Sequence, residues 1–134
     1  MTERPASPAI MRSMLGRARG LGSAKSGTAH WWAQRVTAIA LIPLTLWFVW
    51  SVLRLAGLPR AAVVAWAASP LVATLLAALV LATFHHMQLG LQVVIEDYIH
   101  ADRTRLLWLL AMKAATTLAG LACLLAVLKL AFTG

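Results

Sequence analysis

The chain has 134 residues, 61% of them hydrophobic and 12% charged, with a mean hydropathy of +0.80. Soluble domains carry roughly 25% charged residues, so a water-soluble globular protein is excluded, and the length allows one domain rather than an enzyme with its own cofactor domain. The net charge of +8, from 12 Lys+Arg against 4 Asp+Glu, would suggest nucleic acid in a soluble protein; here the bases flank apolar runs and read as a membrane topology signal.

Residues 1–29 come first. Arg4, Arg12, Arg17, Arg19 and Lys25 sit among Gly, Ser and Pro. No apolar run of about 7–15 residues follows these charges before Gly27, so the segment is not read as a secretory signal. It reads as a basic, polar, mostly irregular arm, with no nucleic-acid partner expected. Residues 30–134 hold three apolar stretches. The first covers 31–55, with Arg35 one turn inside its start and Arg54 at its end. The second opens at Ser69-Pro70, a capping residue followed by proline, and covers 70–96. The third covers 106–132, with Lys113 and Lys129 near its ends. Each can span a hydrocarbon core of roughly 30 Å with some tilt. None has a polar face, so they are not surface helices of a soluble bundle. In lipid every backbone group must be bonded within its own segment, so the stretches are helices. The predicted fold is an all-α membrane protein with three transmembrane helices.

The bases set the orientation. The arm, and the second loop with Arg103 and Arg105, carry most of the positive charge, whereas the first loop holds Arg60 and the C-terminus Lys129. The excess of positive charge inside places the N-terminus and second loop in the cytoplasm and the C-terminus in the periplasm. Trp31, Trp32 and Trp108 then fall at the inner interface and Trp66 near the outer one, with Trp47 and Trp50 in the outer half, as in an aromatic belt. The single cysteine, Cys123, lies in an apolar run and can form neither an internal disulfide nor a thiolate metal cage.

With so few polar residues in the spans, each one bears on function. The densest set runs from Phe84-His85-His86 to Glu96-Asp97-Tyr98. Eleven residues separate His86 from Asp97, about 16 Å along a helix. His86 is therefore near mid-membrane, and Asp97 and Tyr98 are at the cytoplasmic surface. His86, Gly90, Val93 and Asp97 share one face. Two readings of His86 stand: a structural hydrogen bond to another helix, or axial ligation of a haem iron. Gly90, one turn below, either leaves room for a flat porphyrin or permits close helix packing. No C-x-x-C-H is present, so any haem is held non-covalently. At the depth of His86 the first stretch offers about Ile42-Pro43 and the third about Ala115-Thr116, with Met112 the only nearby thioether. A bis-histidine haem therefore requires a histidine from another chain.

Near the start of the first stretch, His30 and Arg35 lie five residues apart. Arg35 reads either as a snorkelling topology residue or as a partner for haem propionates. Glu96-Asp97-Tyr98 reads either as ordinary polar termination or as a quinone head-group site. In the second case the phenol O–H donates to a quinone carbonyl and the carboxylate orients it.

Two segments carry a family resemblance: Gly27-Thr28-Ala29-His30-Trp31-Trp32-Ala33-Gln34-Arg35-Val36-Thr37-Ala38 and His86-Met87-Gln88-Leu89-Gly90-Leu91-Gln92-Val93-Val94-Ile95-Glu96-Asp97-Tyr98. From Ser26 to the end the sequence resembles the small hydrophobic membrane anchor of succinate dehydrogenase (respiratory complex II) of the alphaproteobacterial and mitochondrial type. The resemblance implies a multi-pass anchor in the bacterial inner membrane that packs with a second membrane anchor, a cytochrome b-type subunit. It implies an iron–sulfur and a flavoprotein subunit at the cytoplasmic face. It also implies a haem b shared between the two anchors, with His86 as this chain's axial ligand, Arg35 as a propionate partner and His30 in the propionate region. Tyr98 and Asp97 would line the ubiquinone site. The chain alone would not be catalytic. There are departures. Alignment on Gln92 would favour His85 as ligand, whereas Gly90 and Asp97-Tyr98 favour His86. His30 is one place off the histidine of some relatives. Two other classes stand beside this reading. A small transporter would need an acid or base inside a pathway, and the acids lie outside the apolar runs; a structural assembly protein leaves His85 and His86 unexplained.

Overall fold

The computed structural model describes residues 14–19 and 27–133. It is helical throughout, with α1 (Met14–Ala18), α2 (Gly27–Leu55), α3 (Arg60–Ala67), α4 (Pro70–Tyr98) and α5 (Asp102–Thr133). Three of these are long and apolar enough to cross a membrane: α2, α4 and α5 up to Phe132. At 29, 29 and 32 residues, they run about 43–48 Å, longer than the hydrocarbon core, so their ends reach the interfacial layers. Most of the arm lies outside the described residues; inside them are the short helix α1 and residues 27–29, which open α2.

The first and third spans begin earlier than the apolar pattern indicates. α2 opens at Gly27 rather than Trp31. α5 opens at Asp102 rather than Leu106, because Asp102 sits in the first turn, where the helix dipole favours an acid, and pairs with Arg105 at 2.6 Å. α4 starts at Pro70 as expected and runs two residues past the predicted end; Ser69 has extended backbone but makes no side-chain cap bond. Pro43 lies inside α2. A proline there leaves one backbone carbonyl without its helical donor, which a packed transmembrane helix tolerates.

The first loop is not irregular. α2 stops where Gly57 takes φ +83°, a left-handed conformation suited to glycine, and Pro59 precedes α3. α3 turns its Trp66 onto Trp47 of α2, with ring centroids 6.0 Å apart and nearly parallel. It also buries Ala67 and packs on α4 and α5. The alanines and valines of 61–65 pattern like a loop only because the run is too short to span.

Among the long helices α4 is the middle one, packing on α2 along one side and on α5 along the other. The α4–α5 seam is close. Gly120 of α5 lies against the Phe84 ring of α4, so that a β-carbon there would stand 3.1 Å from Phe84 Cγ. Small residues at such crossings let backbones approach, which is what drives association where lipid is as apolar as the side chains. Gln88 adds a polar tie across the same seam, its Nε2 donating to Thr116 Oγ1 at 3.0 Å. Outside these seams the apolar surface is open: Leu46, Leu71, Leu107 and Leu118 are each two-thirds exposed or more. In water such a surface would not persist; in lipid, or against other membrane helices, it carries no penalty.

Candidate functional site

α4 carries the candidate residues. Consecutive residues on a helix point about 100° apart, so His85 and His86 cannot face the same neighbour. His86 turns toward α2, its Nδ1 lying 3.0 Å from Thr37 Oγ1. Its Nε2 makes no hydrogen bond among the described residues. His85 turns toward α5 and lines a shallow groove of about 180 Å³ with Phe84, Gln88, Thr116, Thr117 and Gly120.

The α2 residue opposite His86 is thus Thr37, not Ile42-Pro43. The expected pairing is thus off by five to six residues: it counted from Trp31 as the first helical residue, whereas α2 begins at Gly27, which accounts for four of them. On α5 the residue at this level is near Thr116 and Thr117, as Gln88 reaches both at 3.0 and 3.5 Å, close to the expected Ala115-Thr116.

Gly90 follows His86 by one turn. A β-carbon there would meet nothing within 4 Å. Close packing of helices within this chain is therefore not the reason for glycine at this position, in contrast to Gly120. On the face of α4 that meets α2 at His86, the space beside Gly90 is left open.

Toward the end of α4, His30 of α2 meets Gln92, Val93 and Glu96 around a cavity of about 450 Å³. His30 Nε2 is buried without a hydrogen-bond partner among the described residues. Gln92 Nε2 donates to Glu96 Oε1 at 2.8 Å, and neither side chain hydrogen-bonds His30 Nε2. Arg35 is not brought to this cluster. It lies on the outward face of α2, with its guanidinium 5.4 Å from the Trp31 ring centroid, a cation–π distance. Asp97 is exposed, and Tyr98 is 80% exposed at the last helical position. Their open setting leaves both side chains available to a ligand or a neighbouring subunit.

Thr37 and Gln88 are the polar groups that sequence reasoning passed over. A signal for Thr37 was present: it lies seven residues after His30, two turns along one face. Among the described residues no three His, Cys, Asp or Glu side chains converge as a metal cage.

The family described as succinate dehydrogenase/fumarate reductase transmembrane subunit matches residues 4–120 of the chain. The chain is 34% identical over 116 residues to the succinate dehydrogenase hydrophobic membrane anchor subunit of Rickettsia bellii, covering 87% of this chain and 93% of that one. It is 40% identical over 81 residues to the subunit of the same description from Paracoccus denitrificans, covering 60% and 63%. It is 31% identical over 87 residues to the succinate dehydrogenase membrane anchor subunit of Reclinomonas americana, covering 61% and 71%. No solved structure matches.

Proposed function

We propose, on the premise that this chain belongs to the succinate dehydrogenase/fumarate reductase transmembrane subunit family, that it anchors a succinate:ubiquinone oxidoreductase in the bacterial inner membrane and supplies one axial ligand to a haem b. The observation that carries the reading is His86. Its imidazole sits well inside a membrane-spanning helix, with Nδ1 held by Thr37. Nε2 has no partner among the described residues, and one turn on is a glycine whose β position is empty. A single neutral imidazole beside an apolar, open helix face suits non-covalent haem. When bound, the haem supplies a one-electron couple. His86 Nε2 would hold the iron from this side, with the second histidine from the cytochrome b-type partner anchor, and the iron–sulfur and flavoprotein subunits would dock at the cytoplasmic face.

The remaining residues take their roles from position. The N-terminus, the α4–α5 turn and Tyr98 lie on the cytoplasmic side and the C-terminus on the periplasmic side. His30, buried and unpartnered at Nε2, and Arg35, whose long side chain can swing from Trp31, are the candidates for the haem propionates. A guanidinium binds a carboxylate with two parallel hydrogen bonds. Tyr98 donates its hydroxyl hydrogen to a carbonyl of ubiquinone, and Asp97 orients the head group beside it. Both are open to water, from which the protons for quinone reduction come.

The test is spectroscopic. In the complex co-expressed with its partner subunits, His86→Ala should lose the low-spin b-type Soret and α bands, while His85→Ala keeps them. Bands that survive His86→Ala and vanish in His85→Ala would transfer the ligand role to His85; no protohaem in the intact wild-type complex would end the reading.

A further inference from the structure

A histidine can ligate iron through Nε2 only if its hydrogen is on the other nitrogen. The surroundings of His86 bear on where that hydrogen is. Thr37 Oγ1 lies 2.8 Å from the Ala33 carbonyl oxygen, 3.1 Å from that of Gln34 and 3.0 Å from His86 Nδ1. A threonine hydroxyl has one hydrogen, and a carbonyl can only accept. The Ala33 carbonyl is the nearest acceptor and the usual one for a helical threonine, four residues back, and we assign the hydrogen to it. A lone pair of Oγ1 then faces Nδ1, and the contact is a hydrogen bond only when Nδ1 carries the hydrogen.

We infer that Thr37 is a positioning residue. By accepting from Nδ1–H it holds neutral His86 in the tautomer whose Nε2 lone pair is free, and it fixes the ring against rotation. The inference rests on the reading of His86 as haem ligand and adds a residue to it. Such a partner on the far nitrogen strengthens what the imidazole donates to a metal, so with Thr37 in place the potential of a bound haem would sit lower than without it. Because Thr37 stands on α2 and His86 on α4, the ligand's tautomer depends on the packing of the two helices, not on α4 alone.

The test uses the assembled complex, co-expressed with its partner subunits. Thr37→Val keeps the shape and removes the acceptor; Thr37→Ser keeps the acceptor and removes a methyl. Thr37→Val should weaken haem retention by about 10–100-fold, move the haem midpoint potential in the positive direction and shift the low-spin EPR signal. Thr37→Ser should return the potential and the EPR signal to the wild-type values. Thr37→Ala, which removes the oxygen without crowding the interface, must behave as the valine variant does. A wild-type potential and EPR signal in Thr37→Val or Thr37→Ala overturn the inference, and so does a Thr37→Ser variant that fails to restore them. The two layers separate through His86→Ala. If the low-spin signal survives there, the ligand reading fails; if it is lost there and Thr37→Val changes nothing, only the role of Thr37 fails.

Discussion

Gly120→Val tests the seam that holds α4 in place. A β-carbon at 120 would stand 3.1 Å from Phe84 Cγ, 3.3 Å from Phe84 Cβ and 3.4 Å from Cδ2, whereas carbons pack best at about 3.5–4.0 Å. One of these atoms is Phe84 Cβ, which cannot move without its backbone. Gly120→Ala thus crowds the seam by a few tenths of an ångström. It also gains the roughly 1 kcal/mol by which alanine exceeds glycine in a helix interior. The two effects nearly cancel, and the alanine variant should match the wild type closely. Valine adds two methyl groups with one strongly preferred rotamer in a helix, and its gain in helix propensity over glycine is smaller. Overpacking of this kind costs about 1–3 kcal/mol. Unfolding of the detergent-solubilised complex by a denaturing detergent should rank Gly120→Val below the other two. Phe84→Ala in the same chain should recover part of the loss, with a coupling of about 0.5–3 kcal/mol. His86 faces α2, so if the proposed haem is bound, its spectrum in assembled Gly120→Val should be that of the wild type. A valine variant as stable as the wild type, or strict additivity with Phe84→Ala, would refute the close packing.

Two other expectations concern the end of α4 and the orientation of the chain. Tyr98→Phe removes only the hydroxyl of a side chain that is 80% exposed. It should depress succinate:quinone turnover while dye-coupled succinate oxidation stays intact; unchanged quinone turnover removes Tyr98 from the site. In a Cys123→Ala background, Thr28→Cys and Ala101→Cys should react with a membrane-impermeant maleimide from the cytoplasmic side only, and Leu58→Cys from the periplasmic side only. The opposite pattern would invert the orientation and leave Tyr98 on the wrong face for its proposed partners.

The spans were legible because composition alone decides them. A run as apolar as 31–55 has one stable form in lipid, and its ends blur only by a turn. Asp102 shows how they blur: it reads as loop because it is charged, yet it opens α5 and binds Arg105 at 2.6 Å. α3 was missed because eight residues carry too little periodicity to distinguish a short helix from a polar-flanked loop. The segment from His86 to Tyr98 announced itself because imidazole, carboxylate and phenol are rare in such surroundings, and the positions along one helix axis follow from arithmetic. What stands opposite each of them did not follow. Thr37 rather than Ile42-Pro43 faces His86, because the relative level of two helices is set by how they pack and not by where their apolar runs begin.

By itself, then, the sequence determined that three helices are long and apolar enough to cross a membrane and how far along α4 each polar group lies. The reason is that backbone hydrogen bonding in lipid permits no other structure and fixes the rise per residue. Only the tertiary structure decided rotation and register: that His86 meets Thr37, that His85 looks instead into the α5 groove, and that Gly90 borders open space while Gly120 is pressed against Phe84. A helix that is apolar on every side carries no stripe to say which way it turns, so the contacts of neighbouring helices settle what the pattern leaves free.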